Sequence, residues 1–501
     1  MPGPISSAAR LVAAGWVLVR HDALAPREIA PLLPPSARFA AGLLRLFSGP
    51  QARRGRPGER LARAFETLGP VAIKVGQLLS TRADIFGLTF AQDLGHLKDR
   101  LAPFPTELAL KEVEAGLGRP VAGLYASFEP AIAAASLAQA HLATLHDGRR
   151  VAVKVLRPGV ERRVYADIGA MRLSASLVER LAPQLKRLEP RAFVGAVARS
   201  MELELDMRLE AAAASELAEV MARDNYMRAP AVVWEGVGRR FLTLEWVRGV
   251  ALSSPEALAL PGLDRPTLAD NVIRAFLAQA LDHGVFHADL HEGNLFVEAP
   301  AQLHAVDFGI VGRLGPAERK FLAEILWGFL RRDYRRIAEV HFEAGYVPKS
   351  HNIDDFAQAL RAVGEPIVGR QADAISMGRL LGQLFEITGL FDMHLRPELV
   401  LLQKTMVTVE GVARRIDPDN DIWAAARPIV ERWIARELSP LARARDLMDS
   451  GRRALEGLAR LADGPPATVV AVKPAAGGRT ALVFAILALA AAVAALAVTL
   501  G

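Results

Sequence analysis

Apolar residues recur at two periods along the chain, and the switch between them marks its parts. Over 60–86, "RLARAFETLGPVAIKVGQLLSTRADIF" repeats them three and four apart, which predicts a helix that Pro70 resets or kinks. The proline-bearing "LAPFPTE" separates it from a second helix near 106–117. From about 125 the period drops to two. "GLYASFEP", "SLAQAHLATL" and "RRVAVKVLR" read as an antiparallel meander, with an Asp-Gly turn in "HDGRR" at 146–150. Helical spacing returns over 161–223, interrupted by Pro183 and Pro190, and strands return at "AVVWEGV" and "RFLTLEWV". The rest is helical to 462 apart from "FHADLHEGNLFV" at 286–297.

The pattern divides the chain into a lead-in with amphipathic helices (1–60), a helical extension (61–124), a strand-rich part with one long helical region (125–249) and a larger helical part (250–463). A linker rich in Pro and Gly (464–479) and an apolar tail (480–500) follow. At 501 residues the chain exceeds one ordinary core, and half of it is apolar, enough for a large one. It has no cysteine, so a metal would be held by oxygen or imidazole, which points to Mg²⁺ before zinc. The formal charge is +6, but no Lys/Arg block is interleaved with aromatics, so nucleic acid is not an expected partner.

The tail "TALVFAILALAAAVAALAVTL" runs 21 residues without a charge, about 30 Å as a helix, and predicts a C-terminal transmembrane helix. Lys473 and Arg479 precede it and only Gly501 follows, so the positive-inside rule keeps the main body cytoplasmic behind a single-pass anchor. The apolar "LVAAGWVLV" at 11–19 is short and lacks a clear cleavage site, and reads as an amphipathic helix rather than a leader.

The chemistry concentrates in "HADLHEGN" and the "VDFG" after it. Asp289 and Asn294 stand five apart, and Asp307 lies eighteen residues beyond Asp289. Phosphoryl transfer needs a carboxylate to orient or deprotonate the acceptor and oxygen ligands to hold Mg²⁺ on the phosphates. Asp289 suits the first task, Asn294 and Asp307 the second; the alternative is a polar loop whose side chains cap turns. The "LFV…LHAVDFG" segment reads as a hairpin that would set Asp307 beside Asn294. Lys154 lies in a strand of small β-branched residues and needs a charged partner. Glu202, Asp206 and Glu210 are spaced four apart as on one helix face, and Glu210, which opens an Ala-rich run, is the chosen partner. Where a glycine-rich phosphate loop would stand, the chain has Ala133, Ala134, Ala135 and Ser136. By propensity that stretch is equally an alanine helix.

A small sheet with a long helix, then a helical lobe with an Asp/Asn loop and a hairpin, outlines an α+β, bilobal, protein-kinase-like fold. Five segments together resemble the UbiB family of atypical protein-kinase-like proteins, also called ABC1 or ADCK. They are "AIKVGQLLSTRADIF" (its KxGQ motif), "AAAS" (its Ala-rich loop), "ELDMRLEAA" (its ExD segment), "HADLHEGN" and "DFG", in family order over about 70–310. The resemblance implies a core that binds ATP or ADP with Mg²⁺, and a KxGQ extension, with Lys74 and Gln77, that folds over the cleft. Its lysine would be associated with ExD acids, here Glu204 and Asp206. By analogy the hinge that receives adenine lies at Glu245 to Val247. The resemblance further implies a role in ubiquinone biosynthesis at the inner membrane, among membrane lipids, quinone precursors and other enzymes of that pathway, with a homodimer as one arrangement. Two departures stand out. Leu290 and Glu292 occupy positions where the family usually has proline, and no Ala-Pro-Glu follows the DFG. Two other readings are a small-molecule kinase of the aminoglycoside or choline kinase type, and a nucleotide-switched scaffold or lipid-handling factor that transfers no phosphate.

Overall fold

A computed structural model describes residues 4–23, 42–43, 45–49, 55–80, 88–95, 97, 102–181, 189–365, 387, 390–393 and 397–437. The chain divides into two units, one comprising Met1–Ser215 and Ala231–Trp246, the other Glu216–Pro230 and Val247–Ala476.

The first unit opens with helices punctuated by proline: α1 (Pro4–Arg20), α2 (Pro57–Leu68), α3 (Pro70–Ser80), α4 (Leu88–Gly95) and α5 (Thr106–Leu117). Pro70 starts a new helix rather than kinking one, because the first turn needs no amide from that residue. Gly69 makes the break at φ +102° and donates its amide to the Phe65 carbonyl at 3.0 Å. Leu61, Phe65, Leu79 and Leu94 pack together between α2, α3 and α4. Three more helices follow the first strands: α6 (Val160–Leu181), α7 (Pro190–Glu204) and α8 (Met207–Asp224).

The sheet of this unit comprises β1 (Tyr125–Ala134), β2 (Ala138–Leu145), β3 (Arg150–Leu156), β4 (Val232–Val237) and β5 (Phe241–Glu245), antiparallel in the order β1-β2-β3-β5-β4. The Asp-Gly turn joins β2 to β3, with Gly148 at φ +85° and the Asp147 carboxylate accepting from the Arg149 amide at 2.9 Å. Along β3 the alternation buries Val151, Val153 and Val155 in a cluster with Ala109 and Val113 of α5 and with Phe241. Each such valine contributes about 2 kcal/mol by leaving water. Lys154 takes the intervening position and faces the other way.

Two local expectations change. The alanine stretch is not helical: Ala133 and Ala134 end β1 opposite Ala140 and Gln139, and the Ala135 amide donates to the Ala138 carbonyl at 2.8 Å. Strand pairing outweighs a propensity worth only tenths of a kcal/mol per residue. Nor do Glu202, Asp206 and Glu210 share a helix face, because α7 ends at Glu204 and α8 begins at Met207. Asp206 stands at the break and accepts from the Arg208 amide at 3.2 Å, as an N-cap does.

The second unit contains β6 (Val250–Ala251), α9 (Arg265–Ala278), β7 (Val285–His287), β8 (Leu295–Glu298), β9 (Gln302–Ala305) and β10 (Val311–Arg313). It continues with α10 (Pro316–Arg331), α11 (Tyr334–Glu343), α12 (Ile353–Gly364), α13 (Pro397–Ile416) and α14 (Ile422–Glu437). The expected hairpin is β8–β9, with β6 on its edge, while β7 pairs with β10.

Among the described residues no helix is long and apolar enough to cross a membrane. α1 has 17 residues with Arg10 inside it, and α6, at 22, carries charge throughout. This corrects the expected C-terminal transmembrane helix, and with it the single-pass anchoring at the inner membrane. The segment 480–500 and the linker 464–479 lie outside the described residues. The fold supported is kinase-like α+β.

Candidate functional site

In the second unit, the chain between β7 and β8 folds back on itself through a closed set of hydrogen bonds. The His287 ring is buried and its Nδ1 accepts from the Asp289 amide at 3.1 Å, while Nε2 faces the Val306 carbonyl at 3.3 Å. That geometry requires a neutral ring protonated on Nε2, and burial agrees by pushing the imidazole below its ordinary range. One histidine therefore ties the Asp289 loop to the residue before Asp307. The Asn294 side-chain nitrogen donates to the Asp289 carbonyl at 3.0 Å, and the Asn294 carbonyl accepts from the Val306 amide at 2.9 Å. With the nitrogen so used, the oxygen of the Asn294 amide is the atom left for a cation. Asp307 is exposed and held at φ +62°, a left-handed conformation that aspartate tolerates better than most residues. Its Oδ1 accepts from the Gly309 amide at 3.3 Å, and the adjacent Phe308 is buried.

The Asn294 amide oxygen and the Asp307 carboxylate could serve a cation only as hard ligands, the kind that suits Mg²⁺, which keeps several waters and takes phosphate oxygens besides. Among the described residues no group of three or more His, Asp or Glu could hold a metal alone. A cation here would therefore rest partly on the ligand's own oxygens. The Asp289 carboxylate is about one-third exposed, with His291 Nε2 at 3.7 Å.

The loop is also held from behind by residues that its sequence does not disclose. Gln279 accepts from the His287 amide at 3.0 Å, and the fully buried Thr405 hydroxyl reaches the Ala288 carbonyl at 3.2 Å. Arg415 pairs with Glu292, which together with Leu290 makes the first of the two departures from the family pattern. Thr405 and Arg415 lie on α13, more than a hundred residues downstream, and no local signal connects them to the loop.

In the first unit, Lys154 Nζ donates to Glu210 Oε1 at 2.7 Å, the pairing chosen above. Glu210 lies in the first turn of α8, where unpaired amides favour a carboxylate. In the β1–β2 turn, Ser136 is buried and the Arg157 guanidinium donates to the Ala135 carbonyl at 2.8 Å. Lys74, buried on α3, pairs with Glu204 at the end of α7. Asp206 is taken instead by Arg208, whose guanidinium reaches it at 2.6 and 2.9 Å and holds its carboxyl below the usual range. Of the two ExD acids, therefore, Glu204 meets Lys74. Gln77 is half-buried, and its main-chain carbonyl accepts from the Ser80 hydroxyl at 2.7 Å. The glycine of the KxGQ motif has a steric cause. A Cβ on Gly76 would stand 2.2 Å from Leu97 Cδ1 and 2.8 Å from Phe65 Cδ2. Glu245 ends β5, paired with Arg149 at 3.1 Å, and Val247 lies beyond it in the second unit; no contact singles these two out as an adenine site.

Residues 96–341 match the ABC1 atypical kinase-like domain and residues 360–421 the UbiB helical domain. The chain is 39% identical over 438 residues to "Probable protein kinase UbiB" of Marinobacter nauticus, covering 86% of this chain and 79% of that protein. The chain belongs to the UbiB family. The protein of the same name from Xanthomonas euvesicatoria pv. vesicatoria is 39% identical over 420 residues, covering 81% and 75% of the two chains. Among solved structures, that titled as the complex of Rv3197 with erythromycin from Mycobacterium tuberculosis aligns with a TM-score of 0.52 at 22% identity. The alignment covers 74% of this chain and 90% of that one. At that identity the likeness establishes the fold alone. It is a UbiB-type atypical kinase-like protein, and the small-molecule kinase reading is set aside. The UbiB helical match includes all of α13, so Thr405 and Arg415 lie in that domain, whereas Gln279 lies within the ABC1 match.

Proposed function

We propose that the protein binds ATP or ADP with Mg²⁺ and acts as an ATPase or phosphotransferase in support of ubiquinone biosynthesis. The observation that supports this reading is the hydrogen-bonded circuit of His287, Asp289, Asn294 and Val306, which ties the segment of Asp289 and Asn294 to the residue before Asp307. Asn294 and Asp307 would hold the metal, which draws charge off the transferring phosphoryl group. Asp289 would orient the acceptor hydroxyl, water or alcohol, and take its proton as the bond from the terminal phosphorus to the departing nucleotide oxygen breaks. Lys154, kept in place by Glu210, would address the nucleotide phosphates, with Ala133 to Ser136 beside it and Glu245 to Val247 receiving the base. Lys74 and Gln77, with Glu204 and Asp206, would govern access. Quinone precursors or other enzymes of the pathway are the proposed acceptors and partners.

Thermal shift of the purified chain with Mg·ATP tests the nucleotide site: a rise in wild type that Asp307→Asn abolishes supports it, and no shift sinks it. Complementation by Asp289→Asn tests catalysis. Restored ubiquinone in a deletion strain carrying that variant would leave the nucleotide-switched scaffold in its place. Normal ubiquinone in the deletion strain itself would remove the pathway.

A further inference from the structure

An apolar hollow in the first unit lies among its helices, and none of the site residues assigned above lines it, although α3 and α7 carry Lys74 and Glu204. It has a volume of about 330 Å³ and is walled by α1, α2, α3, α6 and α7, with Leu11, Phe65, Val71, Leu79, Ala175 and Val194 all buried on its lining. Polar lining is confined to a few positions. Arg10, 42% exposed, pairs with Asp167 across α1 and α6, and Arg163, exposed, donates to the Leu68 carbonyl at 3.3 Å. Two guanidinium groups face one carboxylate, so that side carries a net positive charge while the remainder is hydrocarbon.

A dry cavity of roughly 150 Å³ lined by Leu, Ile and Phe takes up benzene. One twice that size therefore accommodates about twelve carbons of chain, and it falls within the size range of small-molecule sites. We infer that this cavity binds a single-tail amphiphile with an anionic head, the tail among α1, α2, α3, α6 and α7 and the head at Arg10 and Arg163. The placement has a consequence for the KxGQ helix. One face of α3 (Val71, Val75, Leu79) forms cavity wall while Lys74 of the same helix holds Glu204. α7, whose last residue is Glu204, supplies Phe193 and Val194 to the same wall. An occupant thus braces both helices that the Lys74–Glu204 pair joins, and regulates that pair through packing.

The inference stands apart from nucleotide binding and is tested without nucleotide. Titration of the full chain with dodecanoate below its micelle concentration should show saturable one-to-one binding, at least about tenfold tighter than octanoate, since each buried methylene contributes about 0.8 kcal/mol. Ala175→Phe fills the hollow and should abolish binding without lowering the melting temperature. Arg10→Glu should weaken dodecanoate at least about fivefold and leave the cationic dodecyltrimethylammonium no weaker, because the sign of the rim charge is reversed. Amide exchange over 70–80 and 190–204 should slow on saturation with dodecanoate. Non-saturable uptake, no preference for the longer chain, or wild-type affinity in either folded variant would overturn the assignment. Should Ala175→Phe fail to fold, the chain-length series and Arg10→Glu decide alone.

Discussion

Lys74→Met, Glu204→Gln and their combination test whether a buried ion pair fixes the KxGQ helix. The Lys74 side chain is 9% exposed and that of Glu204 22%. Removing one member of a fully buried pair costs about 3–5 kcal/mol, mostly because the other charge is stranded. Lys74→Met keeps the apolar stem and strands a carboxylate that retains a fifth of its access to water, so the cost falls to about 2 kcal/mol. Glu204→Gln strands the more deeply buried ammonium and should cost about 3 kcal/mol. The double variant strands neither, and its cost should fall short of the sum by about 1–3 kcal/mol, the coupling expected of side chains in contact. The assay is urea unfolding followed by tryptophan fluorescence, to which Trp16, Trp234 and Trp246 of the first unit contribute alongside Trp327, Trp423 and Trp433 of the second. With a slope of about 3 kcal/mol/M, Lys74→Met lowers the midpoint by about 0.7 M. Strictly additive costs, or a midpoint shift for Lys74→Met within error, would refute the reasoning and reduce the pair to a surface contact.

Burial holds the His341 imidazole down at about 4, with its Nδ1 hydrogen facing the Ile337 carbonyl. The unfolded chain then binds a proton below about 6.5 that the folded chain refuses until about 4, so stability falls through that window by roughly 3 kcal/mol and levels off below it. His341→Gln should flatten that part of a pH–stability profile; an unchanged slope would show that another group carries it. A Cβ on Gly312 would stand 2.1 Å from Phe286 Cζ, so Gly312→Ala should cost about 1–3 kcal/mol, read as a lower melting temperature, and an unchanged one would contradict the packing. Arg415 and Glu292 are each about one-third exposed, so Arg415→Ala should cost under about 1 kcal/mol of stability while lowering ATP turnover through a looser Asp289 loop. Equal turnover would show that α13 does not position the loop.

Much of the arrangement is legible locally. The period-two alternation in "RRVAVKVLR" places Lys154 opposite three buried valines, and proline and glycine mark where α2 gives way to α3. The order of Asp289, Asn294 and Asp307 with a hairpin between them follows from spacing alone. The alanine stretch was ambiguous because helix and strand propensities differ by less than one pairing contributes, and only β2 alongside it decides. The acidic segment misled because regular four-residue spacing assumes an unbroken helix, whereas Asp206 caps a new one.

By itself the sequence determined the family, the strand-rich and helical parts, and which side chains have the chemistry for phosphate and Mg²⁺, since those depend on residue type and short spacing. Tertiary structure alone decided that Glu204 rather than Asp206 meets Lys74, and that α13 reaches the Asp289 loop through Thr405 and Arg415. It also decided that helices from 4 to 204 enclose an apolar hollow. Such facts join residues tens to hundreds of positions apart. Their partners are selected by packing, where a side chain's neighbours depend on how whole helices and strands stack and hardly at all on the residues beside it in the chain.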